Sequence, residues 1–138
     1  MERTLAIIKP DAVGRHLAGD ILKRIEASGL SVVGLRLMHL TRAQAQLFYA
    51  VHRERPFYGS LCDYMSSGPV VIAALAGEGA IKRWRDLMGA TDPAKAAAGT
   101  IRKDFGQNVE QNATHGSDAP ETAANEIAFF FSTLELVA

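Results

Sequence analysis

Asn112-Ala113-Thr114-His115-Gly116-Ser117-Asp118 leads directly into Ala119-Pro120-Glu121, and the reading of this stretch organises the rest of the chain. Asp118 followed three residues later by Glu121 has the spacing of a capping box, and Pro120 suits a first helical turn. Ala123, Ile127, Phe130 and Phe131 then recur at i, i+4, i+7 and i+8, one apolar stripe. A helix is therefore predicted to begin just after Ser117, with a short strand running into the His115 turn. The positive end of that helix would lie beside His115, Gly116 and Ser117, where an anionic phosphoryl group is stabilised. Glu126 falls off the apolar stripe and could turn back to hydrogen-bond one imidazole nitrogen, leaving the other with its lone pair. A lone histidine between polar and glycine residues can equally be a turn residue without chemical work, and this pattern alone leaves both readings open.

Outward from this stretch the chain alternates strands and helices. Arg3 to Ile8 is a short strand stopped by Pro10. Ala18, Ile21, Leu22 and Ile25 form a helical stripe closed by Gly29. Ser31 to Leu40 alternates enough to read as a second strand, and Thr41 with Gln44 as a capping box opening a helix with Leu47, Phe48 and Val51 on its apolar side. Tyr58, Leu61, Cys62 and Met65 share one face of a further helix. Val70 to Ala76 is a buried strand, Ala80 to Met88 a helix, and Gly89 to Gly99 a long loop. No linker, repeat or low-complexity segment divides the chain, so residues 1–138 are expected to form one α+β domain. The order of elements is compatible with a ferredoxin-like βαββαβ sandwich, a four-stranded antiparallel sheet with added helices.

Composition excludes several classes. The 138 residues are 48% hydrophobic and 22% charged, ordinary for a globular chain. Fifteen basic residues balance fifteen acidic ones, so no overall field gathers nucleic acid or an anionic membrane, and no dedicated nucleic-acid binding is expected. The longest apolar run, Val70 to Ala76, falls far short of the roughly 20 residues of a membrane helix. The run Leu5 to Ile8 is too short for a signal-peptide core, and the single cysteine, Cys62, cannot form an internal disulfide, so a cytoplasmic location is expected. Gly14-Arg15-His16-Leu17-Ala18-Gly19 has the glycine spacing of a P-loop, but Asp20-Ile21 follow where Lys and Ser/Thr are required. Gly77-Glu78-Gly79 meets Lys82 where a dinucleotide fingerprint needs a third glycine, and no His/Cys cluster has zinc spacing. A phosphotransferase built on this chain must therefore rely on scattered side chains.

Asn112-x-x-His115-Gly116-Ser117-Asp118 resembles the active-site signature of the nucleoside diphosphate kinases. Other segments match in the same order: Thr4 to Ala12 with its Lys9-Pro10-Asp11, Arg55-Pro56-Phe57-Tyr58, Tyr64 to Val70, Gly89 to Ala94, and Gly99 to Phe105. The likeness is collinear from about Thr4 to about Phe131. It implies the ferredoxin-like fold and a ping-pong transfer of the γ-phosphate of a nucleoside triphosphate to a nucleoside diphosphate. His115 would be the nucleophile through Nδ1, and Glu126 would orient its ring. By the same resemblance Lys9, Arg85 and Arg102 supply positive charge, Thr91 hydrogen-bonds a phosphate oxygen, and Tyr49 packs near the histidine. Lys9 and Asn112 are implied to read sugar hydroxyls, Phe57 to stack on the base, and Leu61 and Val109 to make apolar contacts around it. Stacking accepts any π-face, so broad base specificity is expected. Mg²⁺ is implied as the cofactor, bound mainly through the nucleotide phosphates rather than by a dedicated set of protein ligands.

The resemblance further implies a homo-oligomer, tetramer or hexamer. The chain departs from the common pattern at Ala98, where many members carry proline, and ends soon after Glu135, both in regions that meet subunit interfaces in the family. The remaining conspicuous residues are read blandly. His16, His39 and His52 are expected at surfaces or strand ends, Cys62 and Trp84 in the packing, and two of Phe129, Phe130 and Phe131 in the core.

Overall fold

Alternation along β1 (Glu2–Ile8) decides the layering, because successive side chains of a strand point to opposite faces. Leu5 and Ile7 face one helical layer, and Ala6 and Ile8 the other. The computed structural model describes residues 1–137; the last residue of the expected domain, Ala138, lies outside the described residues. The remaining elements are α1 (Pro10–Gly14), α2 (Ala18–Ala27), β2 (Ser31–Met38), α3 (Arg42–Phe48), α4 (Tyr58–Met65), β3 (Val70–Gly77), α5 (Ala80–Met88), α6 (Ile101–Phe105), β4 (Thr114–Gly116) and α7 (Pro120–Phe130). The sheet runs β2-β3-β1-β4 with every neighbouring pair antiparallel. This is the expected ferredoxin-like order of a βαββαβ chain, with α1, α3, α4, α6 and α7 as additions.

Both faces of the sheet are covered, which explains why β3 is buried along its whole length and reads as an unbroken apolar run. Ile21, Ile25, Trp84 and Met88 of α2 and α5 pack on Ala6, Ile8, Ala73 and Leu75. Cys62 and Met65 of α4 and Ile127 and Phe130 of α7 pack on Leu5, Ile7, Val70 and Ile72. Each fully buried Ile, Leu or Phe contributes about 1.5–3 kcal/mol, so these two seams hold the sheet between the helices. Phe130 and Phe131 are buried and Phe129 is exposed, as the stripe predicts.

Three local expectations are corrected. Thr41 and Gln44 do form the capping box, at 3.1 Å and 2.9 Å. The apolar side assigned to the helix they open is nevertheless wrong, since Leu47 and Val51 are 69% and 86% exposed. The helix ends at Phe48 and continues as a 3₁₀ turn, Ala50–His52, which breaks the 3.6-residue period; Phe48 meets the core as expected, but beside Ala45 and Tyr49. In β2 a bulge between Val32 and Gly34 interrupts the alternation, so Val33 and Gly34 are both buried while Leu35 and Leu37 are exposed. The capping box at Asp118 and Glu121 is also absent. Helix α7 starts at Pro120 with Ala119 as its cap, and the Thr122 hydroxyl accepts from the backbone N–H groups of Asp118 and Ala119 at 3.2 Å and 3.0 Å.

Candidate active site

Strand β4 is three residues long and pairs only with β1, and that pairing sets the direction of its central side chain. His115 lies opposite Ile7 and so projects toward the layer of α3 and α7. Its ring meets Phe48 and Tyr49 edge-on, with centroids 5.5 Å and 6.1 Å away. Imidazole Nε2 lies 2.9 Å from a carboxylate oxygen of Glu126, one of the polar positions of α7. The same oxygen accepts from the Ser117 hydroxyl at 2.8 Å, and Ser117 Oγ accepts from the Leu5 N–H at 3.2 Å. A chain of bonds thus ties the ring to the central strand. Burial alone would push the Glu126 carboxyl up, but the bonds from His115 and Ser117 hold it below its ordinary value. An ionised Glu126 keeps the proton of a neutral imidazole on Nε2, so Nδ1 retains its lone pair.

Lys9 stands at the end of β1, and its ammonium donates to the Asn112 side chain at 2.8 Å and to the Glu110 carbonyl at 3.2 Å. It is 7% exposed. Burial first, then the charge of Arg102, pulls its pKa down to about 8. Arg102, on α6, clamps two carbonyls, Gly89 at 3.1 Å and Thr114 at 2.8 Å, while its buried Nε makes no hydrogen bond. Burial and the neighbouring Arg85 lower its pKa to about 10, which leaves it cationic at neutral pH. Arg85 bonds Asp118 at 2.8 Å.

These groups line one cavity of about 450 Å³. His115, Lys9, Arg85, Thr91, Arg102 and Asn112 form its polar side; Asn112 also donates to the Thr91 carbonyl at 3.0 Å. Tyr49, Phe57, Leu61 and Val109 form its apolar side, with Phe57 and Val109 largely exposed at the opening. Glu126 stands behind the cavity and acts on it through the His115 ring. Every residue singled out from the sequence is thereby brought to one place, from elements spread over more than a hundred positions. A cavity lined by an exposed aromatic ring, apolar side chains, three cations and an imidazole can receive both a flat ring and a phosphate chain.

The sequence reading missed part of this site. His52, expected at a surface, stands in the cavity wall, stacked against Tyr49 with centroids 6.4 Å apart and tilted against Phe57 at 5.4 Å. The 3₁₀ turn that carries it carries no periodic signal. Asp11 was also missed: its carboxylate accepts the N–H of Ala113 at 3.1 Å and is bonded in turn by the Tyr64 hydroxyl. Ala113 has φ of 73°, a left-handed conformation unfavourable for a residue with a Cβ, so the Asp11 bond secures the strained entry to β4. Just ahead of α7 the Thr122 hydroxyl takes the Asp118 and Ala119 N–H groups and the Ser117 N–H bonds Leu5. Lys9, Arg85 and Arg102 bring cationic side chains to the cavity.

Comparison with known proteins bears on this geometry. A sequence model of the family described as nucleoside diphosphate kinase matches residues 2–136. A nucleoside diphosphate kinase of Desulfovibrio desulfuricans is 63% identical over 136 residues, covering 99% of this chain and 98% of the relative. One from Geotalea uraniireducens is 60% identical over 137 residues, covering 99% and 100%. Among solved structures, the Aquifex aeolicus nucleoside diphosphate kinase superposes with a TM-score of 0.96 at 49% identity, covering 99% of each chain. A halophilic nucleoside diphosphate kinase from Halobacterium salinarum, solved in complex with CDP, gives 0.95 at 43% identity, covering 99% of this chain and 91% of that one.

Proposed function

The chain belongs to the nucleoside diphosphate kinase family, and from that premise we propose that it moves the γ-phosphate of a nucleoside triphosphate to a nucleoside diphosphate through a phosphohistidine at His115. The observation that carries this reading is the His115 ring, tethered at Nε2 by Glu126 and bordered by Lys9, Arg85 and Arg102 in one cavity. The Nδ1 lone pair attacks the γ-phosphorus, the bond from phosphorus to the β,γ-bridging oxygen breaks, and the electron pair leaves with the nucleoside diphosphate. A terminal oxygen of a second diphosphate then attacks the same phosphorus and returns the lone pair to Nδ1. Charge in such a transfer spreads over the peripheral oxygens, so positioning and cationic stabilisation supply most of the rate. Arg85 and Arg102 are assigned that stabilisation, Thr91 a phosphate oxygen, and Lys9 with Asn112 the sugar hydroxyls. Tyr49 packs the nucleophile in place, and Phe57, Leu61 and Val109 hold the base.

Mg²⁺ fits this lining as a partner of the nucleotide rather than a resident. Among the described residues no group of three or more His, Cys, Asp or Glu side chains could hold a metal, and the ion favours water and phosphate oxygens. When bound it would supply charge neutralisation along the phosphates, with Glu110 and Asp118 as the carboxylates in the cavity lining. The chain is assigned to the cytoplasm as a single domain over residues 1–138, with its one cysteine buried and unpaired. It is read as a homo-oligomer, tetramer or hexamer, a reading supported by the exposed Leu35 and Leu37 on the edge strand β2.

The test is direct. Incubation with γ-labelled ATP and Mg²⁺ should give an acid-labile, alkali-stable phosphoprotein that loses its label to ADP, GDP, CDP or UDP, with acceptors differing by modest factors and purines ahead. An unlabelled protein would overturn the phosphohistidine, and discrimination above about 10⁴-fold between bases would overturn the stacking account.

A pH dependence also follows from Lys9. Its lowered pKa of about 8 reflects burial first and the charge of Arg102 second, with Asp11 and Glu110 acting in the opposite direction. The negative charge of nucleotide phosphates bound in the same cavity favours protonated Lys9, so binding should take up protons above about pH 8 and weaken as pH rises through that value. Terminal phosphates are already ionised by about pH 7. Calorimetric titration with ADP in buffers of different ionisation enthalpy checks this, and Lys9→Met should lose the proton uptake. Uptake equal in the two proteins would assign it to another group.

A further inference from the structure

Trp84 was expected to serve packing alone, and it is fully buried, yet its indole N–H has a defined partner: Nε1 donates to the carbonyl oxygen of His115 at 3.1 Å. We infer that Trp84 is a positioning residue for phosphoryl transfer, fixing the backbone end of His115 while Glu126 fixes the ring end. The inference rests on the reading of His115 as the nucleophile.

Strand β4 is the last strand of the sheet, so β1 supports it along one edge only. Two of its three carbonyls are held by side chains of the α5 and α6 layer, Thr114 by Arg102 at 2.8 Å and His115 by Trp84 at 3.1 Å. The indole has little freedom to slide. A Cβ built on Gly116 would come within 2.7 Å of Trp84 Cδ1, 2.8 Å of its Nε1 and 2.5 Å of Met88 Cε, so backbone and indole already touch. The tether from Glu126 acts at the ring on one face of the sheet; the tether from Trp84 acts on the backbone from the other. With both ends fixed, Nδ1 has a defined position, and in-line attack is sensitive to displacements of about 1 Å. Helix α5 also carries Arg85 as the next residue, so the helix that bears a cavity cation is coupled to the nucleophile's main chain.

The test separates positioning from packing. Trp84→Phe keeps an aromatic ring and removes the donor. It should slow phosphoenzyme formation in single turnovers with ATP and Mg²⁺ by about 5- to 20-fold while ADP affinity stays within about twofold. Because Trp84 is the only tryptophan in the chain, its replacement by benzothienylalanine, with sulfur where the N–H stands, removes the hydrogen bond at constant shape. That protein should keep the wild-type thermal midpoint and show the same kinetic loss. Wild-type phosphorylation rates in the benzothienylalanine protein, or a loss confined to ADP affinity, would overturn the inference. A wild-type protein that takes no label would overturn the His115 reading itself, an outcome readily told apart from normal labelling that is indifferent to Trp84.

Discussion

His115→Ala is expected to abolish phosphoenzyme formation and to lower turnover by at least about 10³-fold, because His115 is the cavity imidazole that a carboxylate tethers at Nε2, leaving Nδ1 to hold the phosphoryl group between two substrates. Nucleotide affinity should stay largely intact. Lys9, Arg85, Arg102 and Phe57 remain in the cavity wall, and they carry the charge and the stacking surface. Folding should survive as well, since the side chain is partly exposed and Glu126 keeps its bond from Ser117 at 2.8 Å. The decisive measurement is turnover in a coupled assay beside nucleotide titration of the same preparation. More than a few per cent of wild-type activity without added imidazole would assign the chemistry to another residue.

Glu126 should give the second largest effect, a slowing of phosphorylation by about 10- to 1,000-fold on replacement by Ala, because it orients the imidazole and fixes its tautomer without forming the new bond. Glu126→Gln should fall less, since an amide oxygen can still accept from Nε2–H at the observed separation of 2.9 Å. Stability carries an independent signature. The Glu126 carboxyl is held below its ordinary value in the folded protein despite its burial, because His115 and Ser117 stabilise the ionised form. A depressed carboxyl contributes stability that is fully present above the unfolded value, about 4.3, and is lost as pH falls through the folded one. The Gln variant should therefore lose stability less steeply than wild type between neutral pH and about pH 3. Parallel melting curves across that range, together with an unchanged phosphorylation rate, would remove Glu126 from the site.

Much of this was legible in the sequence. The signature around His115 and the collinear segments from Thr4 to Phe131 specified the fold and nominated eleven residues, ten of which line one cavity while Glu126 backs it. Those segments could be read because a chemical group sits beside a local backbone signal, as with Lys9 at a strand end before Pro10 or His115 just ahead of a helix start. His52 could not be found this way, because a 3₁₀ turn has no apolar period and its place in the wall depends on how Tyr49 and Phe57 pack around it.

By itself, the sequence determined the alternation of strands and helices, the buried character of β3, the family likeness and the types of group available for phosphate chemistry. These are properties of spacing and composition, which local sterics and apolar periodicity translate into structure without long-range information. Only the tertiary structure decided how α7 begins, which face of α3 is buried, and what holds β4. Ala119 with Thr122, rather than Asp118 with Glu121, opens the helix, Ala45 rather than Leu47 meets the core, Asp11 reaches the entry to β4 from 102 residues away, and Arg102 and Trp84 reach β4 from 12 and 31. Such contacts join residues distant in the chain, and their energies depend on burial and donor geometry that exist only once the sheet and both helical layers have closed around them.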